Sequence, residues 1–188
     1  MNERRDEEAV ARLFLACGLR TERFIETKEG KRPDYRVTGP RGELFICEVK
    51  SIRSTPDKPI TNDSLYGAIT DDVKIAVKQF AAVNSAHLVP NVLVWVTHNP
   101  RYNINTFVDL VRGRVVIEGV EHARLAKQRF GRFDGHFKCV DLFVWVFSWG
   151  KPELLYNGTD ERHLRTLTRL LHELPAQECE LLHQVAAD

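Results

Sequence analysis

Apolar residues recur along the chain at two different periods, and the switches between them lay out the elements. Val10, Leu13, Phe14 and Cys17 recur at three- and four-residue steps. They predict a helix over Glu3–Cys17, with Gly18 in the left-handed position that ends it. A short strand is expected at Arg23–Thr27. Asp34–Thr38 and Leu44–Ser51 alternate around Gly39-Pro40-Arg41-Gly42 and predict a hairpin. The polar stretch Ser51–Ser64 predicts a loop, and Ile69, Val73, Val77 and Phe80 mark the buried face of a helix over Tyr66–Asn84. Asn91–Thr97 and Val140–Ser148 are almost continuously apolar, the pattern of strands buried on both faces. Between them a short helix is expected at Asn105–Arg112, a strand at Arg114–Glu118 and a basic, partly helical stretch at Val120–Lys138. Thr159 can cap a helix that runs to Glu173 and stops at Pro175, and a last helix is expected over Gln177–Ala186. This mixture predicts an α/β fold, a central sheet flanked by helices on both sides.

Charge changes the picture only when divided by region. The 188 residues fit one domain, and their net charge is +1. Residues 1–151 carry +5, however, and residues 152–188 carry −4. The positive excess concentrates in His122–Val140, where Arg124, Lys127, Arg129, Arg132 and Lys138 face Asp134 alone. Phe130, Phe133 and Phe137 are interleaved with them. Basic and aromatic side chains together can hold phosphates and stack on bases. The competing reading is an amphipathic segment whose phenylalanines dock on the core. The acidic C-terminal part reads as a helical cover over residues 159–186.

Several function classes drop out. The apolar runs are far shorter than the roughly 20 residues of a membrane-spanning helix. The charged N-terminus lacks the apolar core of a signal peptide, so a cytoplasmic protein without a membrane partner is expected. Cys17, Cys47, Cys139 and Cys179 are too scattered for a metal knuckle and read as small hydrophobes. None of the seven histidines stands four residues from another, which predicts no histidine metal site. No phosphate-binding glycine loop of the ATPase kind occurs.

The hairpin carries the chemistry. Side chains alternate across a strand, so Glu48 and Lys50 share one face while Phe45, Cys47 and Val49 share the other. Folding about Arg41 pairs position 38 with 44 and 37 with 45, and sets Asp34 opposite Glu48. A slip of one residue would move Tyr35 and Val37 onto the polar face, so the apolar layer selects this register. Two opposed carboxylates repel, and a divalent cation between them removes that cost. A neighbouring lysine can orient or deprotonate a water there. The bland alternative is a solvated Glu48–Lys50 surface pair of under about 1 kcal/mol.

Pro33-Asp34 followed, after thirteen intervening residues, by Glu48-Val49-Lys50 resembles the PD-(D/E)XK nuclease superfamily, the restriction-endonuclease-like fold. The resemblance covers about residues 3–97. It implies an αβββαβ core and hydrolysis of DNA phosphodiester bonds with Mg²⁺ or Mn²⁺. It also implies metal ligation by Asp34, Glu48 and the Val49 carbonyl, with Lys50 acting on the water. A first-helix glutamate reaches the site in such families. Glu7, at the edge of the apolar face, is the matching residue, with Asp6 and Glu3 as substitutes. Lys74, Lys78 and Gln79 on the next helix are candidates to face DNA, alongside the basic stretch. With no separate recognition domain visible, specificity would fall to loops, a homodimer partner or another subunit. A non-catalytic nucleic-acid-binding or assembly module on the same fold is the alternative reading.

Overall fold

Helix α1 (Glu3–Ala16) begins the described chain and buries Ala9, Val10, Leu13 and Phe14. It ends where expected: Gly18 adopts φ 75°, a left-handed conformation that costs glycine little. The computed structural model describes residues 3–25, 30–52, 62–98, 103–111, 116–117, 120–121, 135–147, 151–157 and 160–171. Three strands follow α1: β1 (Arg20–Arg23), β2 (Tyr35–Thr38) and β3 (Leu44–Ile52). Helix α2 (Asn62–Ala81) then leads to β4 (Asn91–Thr97), completing an αβββαβ order. Helix α3 (Ile104–Val111) and a small hairpin of β5 (Val116–Ile117) and β6 (Val120–Glu121) precede β7 (Leu142–Phe147), β8 (Glu153–Tyr156) and helix α4 (Glu161–Leu171).

The main sheet has six strands in the order β1-β2-β3-β4-β7-β8. Strands β3, β4 and β7 run parallel at its centre, and the outer pairings β1–β2, β2–β3 and β7–β8 are antiparallel. Its two faces bury different chemistry. One carries Val92, Val94, Val96, Val144 and Val146 with Tyr35, Val37, Phe45, Cys47 and Val49, and packs against α1 and α4. The other carries Leu93, Trp95, Phe143, Trp145 and Phe147, and packs against α2 and α3. Trp95 lies 4.4 Å from Trp145 and 5.4 Å from Phe107 of α3, ring centre to ring centre. Glu48 and Lys50 fall on this second face, between Ile46 and Ile52.

Several expected boundaries move. The first strand lies at Arg20–Arg23 rather than Arg23–Thr27, because pairing with β2 selects it: Arg23 opposes Tyr35 and Arg20 opposes Thr38. Its alternating charges carry no period-2 apolar signal that a single sequence displays. Strand β8 was not expected at all; it gains its place by pairing Leu155 with Phe143 at the sheet edge. Asp160 caps α4, accepting from the backbone N–H of Arg162 at 2.8 Å; Thr159 lies outside the described residues. Cys47 is buried as expected, whereas Cys17 and Cys139 are only partly covered. The expected loop Ser51–Ser64 is cut back at both ends, where Ser51 and Ile52 finish β3 and residues 62–64 open α2; its residues 53–61, Arg124, Lys127, Arg129, Arg132 and the expected helix at Gln177–Ala186 lie outside the described residues.

Phe14 is fully buried and meets Phe45 edge to face at 5.5 Å, joining α1 to β3. Truncation leaves a cavity as well as lost burial, so Phe14→Ala is expected to cost about 3–5 kcal/mol of unfolding free energy in a urea titration.

Candidate active site

The β2–β3 pairing sets Val37 opposite Phe45 and Tyr35 opposite Cys47. Continued by one residue, that register puts Asp34 across from Glu48. Asp34 Oδ2 accepts the backbone N–H of Val49 at 2.8 Å, which anchors its carboxylate against the middle of β3. Glu48 is 2% exposed. One of its oxygens, Oε1, receives the Lys50 ammonium at 2.5 Å. The other, Oε2, is buried and meets no hydrogen-bond donor among the described residues. Asp34 and Glu48 are thus brought together as the spacing predicts, with Lys50 beside them. Glu48 is buried and the Lys50 side chain is only 14% exposed, so the solvated surface reading of the two does not hold.

Glu7 is 8% exposed and reaches the same neighbourhood from α1. Burial, and then the charge of Asp34, raises its pKa, and Arg23 of β1 forms an ion pair with it. Arg23 was not singled out in the sequence. Only the β1–β2 pairing carries it here, and no motif spacing announces that. Asp6 is also buried, but it meets His98 Nε2 at 3.2 Å instead.

The residues of α2 divide. Gln79 is buried rather than presented outward: its amide N–H donates to the Arg32 carbonyl at 3.0 Å, and its carbonyl accepts from Lys50 at 3.3 Å. It positions the lysine. Lys74 pairs with Asp71 at 3.1 Å on the helix surface, and Lys78 is exposed. Asp72, one turn before Ala76 on the buried face, accepts from Trp95 Nε1 at 3.0 Å and adds negative charge near Lys50. Its signal in the sequence was a carboxylate within a helix face otherwise marked by Ile69, Val73 and Phe80.

The electrostatics follow from burying more negative than positive charge. Burial, and then the Asp34 charge, pushes Glu48 up to about 8 despite Lys50. Burial also raises Asp34, against the Val49 N–H and the Lys50 charge, which favour its ionised form. Lys50 loses hydration, but the Glu48, Asp72 and Asp34 carboxylates outweigh this and hold its pKa above the ordinary range. The donors at this point are carboxylate oxygens, one of them unmatched. Such a set fits a hard divalent cation, which prefers oxygen ligands.

A second group forms where β4 and β7 begin. His87, Asp141 and His163 come together there, although the histidine spacing predicted no metal site. They are 54 and 22 residues apart, so only the tertiary fold joins them. Their donor set can hold a metal ion. No helix among the described residues is long and apolar enough to cross a membrane.

Glu48 binds a proton in the folded state up to about pH 8 but releases it near 4.5 when unfolded. The stability linked to that proton is therefore complete below about pH 4.5 and is lost as pH rises to about 8. In urea titrations without divalent cations, stability is expected to fall across this window, and Glu48→Gln should flatten the fall. An equally steep fall in the variant would assign the effect elsewhere.

No family model, curated protein or solved structure was found to match the chain.

Proposed function

We propose that this chain is a divalent-metal-dependent deoxyribonuclease of the PD-(D/E)XK kind. The observation that carries the reading is the buried Asp34–Glu48 pair, too negative for its surroundings, with Lys50 bonded to one oxygen and Glu48 Oε2 unmatched among the described residues. A fold-only role for the pair would be costly, because buried like charges destabilise unless a cation or proton intervenes.

Asp34 and Glu48 would hold Mg²⁺ or Mn²⁺, with the Val49 carbonyl as a further oxygen donor and Glu7 as an auxiliary ligand. Bound there, the cation would supply Lewis-acid stabilisation of a phosphodiester and a lowered water pKa. The chain's own residues supply the positioning. The Val49 N–H fixes the Asp34 carboxylate. Gln79 bridges Arg32 and Lys50, limiting where the ammonium can point. Lys50 would present a positive donor to an attacking water or to the charge developing on phosphate. Arg23 restrains Glu7, so the α1 carboxylate stays at the edge of the site. Lys74, Lys78 and the basic stretch with Arg124, Lys127, Arg129 and Arg132 would hold the DNA backbone.

The test is cleavage of duplex, single-stranded and branched DNA with Mg²⁺ or Mn²⁺. Asp34→Ala and Lys50→Ala are each expected to lower the rate by about 10²–10⁴-fold while circular dichroism stays native. Wild-type protein that cleaves none of these substrates, and whose calorimetric Mn²⁺ binding does not depend on Asp34 and Glu48, would be a non-catalytic binding module instead.

A further inference from the structure

We propose that His87, Asp141 and His163 form a separate site for a borderline transition ion, Zn²⁺ being the best match, that clips α4 to the start of the parallel strands. The donor atoms of the three residues all lie within 4.8 Å of one another. Asp141 occupies the centre. Its Oδ1 meets His163 Nδ1 at 2.9 Å, and its Oδ2 meets His87 Nε2 at 2.7 Å. The two imidazole rings stand edge to face at 4.9 Å.

Three features make this a built site. First, Asp141 is held independently of the histidines: the backbone N–H of Asn91 donates to Oδ2 at 2.7 Å, and the Asn91 amide donates to the Cys139 carbonyl at 2.9 Å. Such surrounding hydrogen bonds orient a ligand before metal arrives. Second, the facing atoms are the right ones: His163 Nδ1 and His87 Nε2 both point at the Asp141 carboxylate, so an ion seated among them would take the place of the protons shared in these two contacts. Third, His87 is held at φ 49°, a left-handed conformation uncommon outside glycine. Its backbone N–H donates to the Asn84 carbonyl at 2.9 Å, and Asn84 in turn donates to Asn91 Oδ1 at 2.9 Å. The side chain of His87 is 31% exposed while those of Asp141 and His163 are 2% and 5% exposed, so an ion has one open approach.

Two imidazoles and one carboxylate select against Mg²⁺ and Ca²⁺, which prefer all-oxygen shells, and for Zn²⁺ or its neighbours in the first transition row. Three protein ligands leave a fourth position of a tetrahedron for water. The three ligands belong to the turn after α2, the segment that starts β7, and the first turn of α4. Bridging them would oppose separation of α4 from the sheet. The Asp34–Glu48 donors stand further along the same strands, Glu48 opposing Leu93 whereas Asn91 starts β4. The proposal does not rest on the nuclease reading.

The test uses the 188-residue chain, free of any tag, carrying Asp34→Asn and Glu48→Gln, which removes the acidic site. Co²⁺ titration followed by visible absorption is expected to saturate at one equivalent, with the band bleached by Zn²⁺ and unaffected by excess Mg²⁺. Adding His87→Gln, at the most accessible ligand, should weaken Co²⁺ binding by more than about 100-fold, beyond what loss of an outer-shell partner costs. At a hundredfold excess over Kd, Zn²⁺ should raise the thermal midpoint by about 5–10 °C, and the His87→Gln variant should lose that rise. The same titration on wild-type protein in excess Mg²⁺ keeps the test independent of the double variant's folding. No stoichiometric Co²⁺ uptake, or uptake unchanged by His87→Gln, would overturn the site and leave a hydrogen-bonded cluster.

Discussion

The pairing of β2 with β3 is the constraint from which the candidate active site follows. Tyr35 and Val37 must lie on the same face as Phe45, Cys47 and Val49, because that face is covered by α1 and cannot admit polar side chains. Strand alternation then leaves no freedom: if those residues face α1, Glu48 and Lys50 face α2. The Asp34 carboxylate is brought against the same strand and tied to the Val49 N–H. The charged cluster is thus the unavoidable counterpart of a well-packed apolar layer.

That cluster is a local conflict inside an otherwise consistent core. The surrounding strands bury valines on one side and aromatic rings on the other, and nearly every choice favours the same fold. Glu48 and Asp34 are exceptions, with proton affinities raised by their own burial. Conflicts of this kind concentrate where a protein binds or reacts, since stability is traded there for chemistry. Gln79 and Arg23 moderate the conflict without removing it, the first by bonding to Lys50 and the second by pairing with Glu7, while Asp72 adds further negative charge beside Lys50.

The three parallel strands also keep two kinds of donor apart. Oxygen donors gather beside the middle of β3, where a short hairpin supplies acids from adjacent strands. Imidazoles gather at the start of β4 and β7, where loops and the first turn of α4 converge. Hard and borderline cations would accordingly be sorted by position in one sheet, each by the chemistry of its ligands.

The sequence by itself determined α1, the hairpin register, the two buried central strands and the meeting of Asp34, Glu48 and Lys50. Each of these follows from local alternation or helical period, which short stretches display in full. Tertiary structure alone decided β1 and β8, whose edge positions depend on partners far along the chain rather than on their own residues. It decided that Arg23 meets Glu7, that Gln79 turns inward, and that His87, Asp141 and His163 converge. Those contacts join residues from separate elements, and no period within one segment encodes the distance between two segments. Packing of the sheet against its helices sets that distance, so these features emerge only when the whole core has formed.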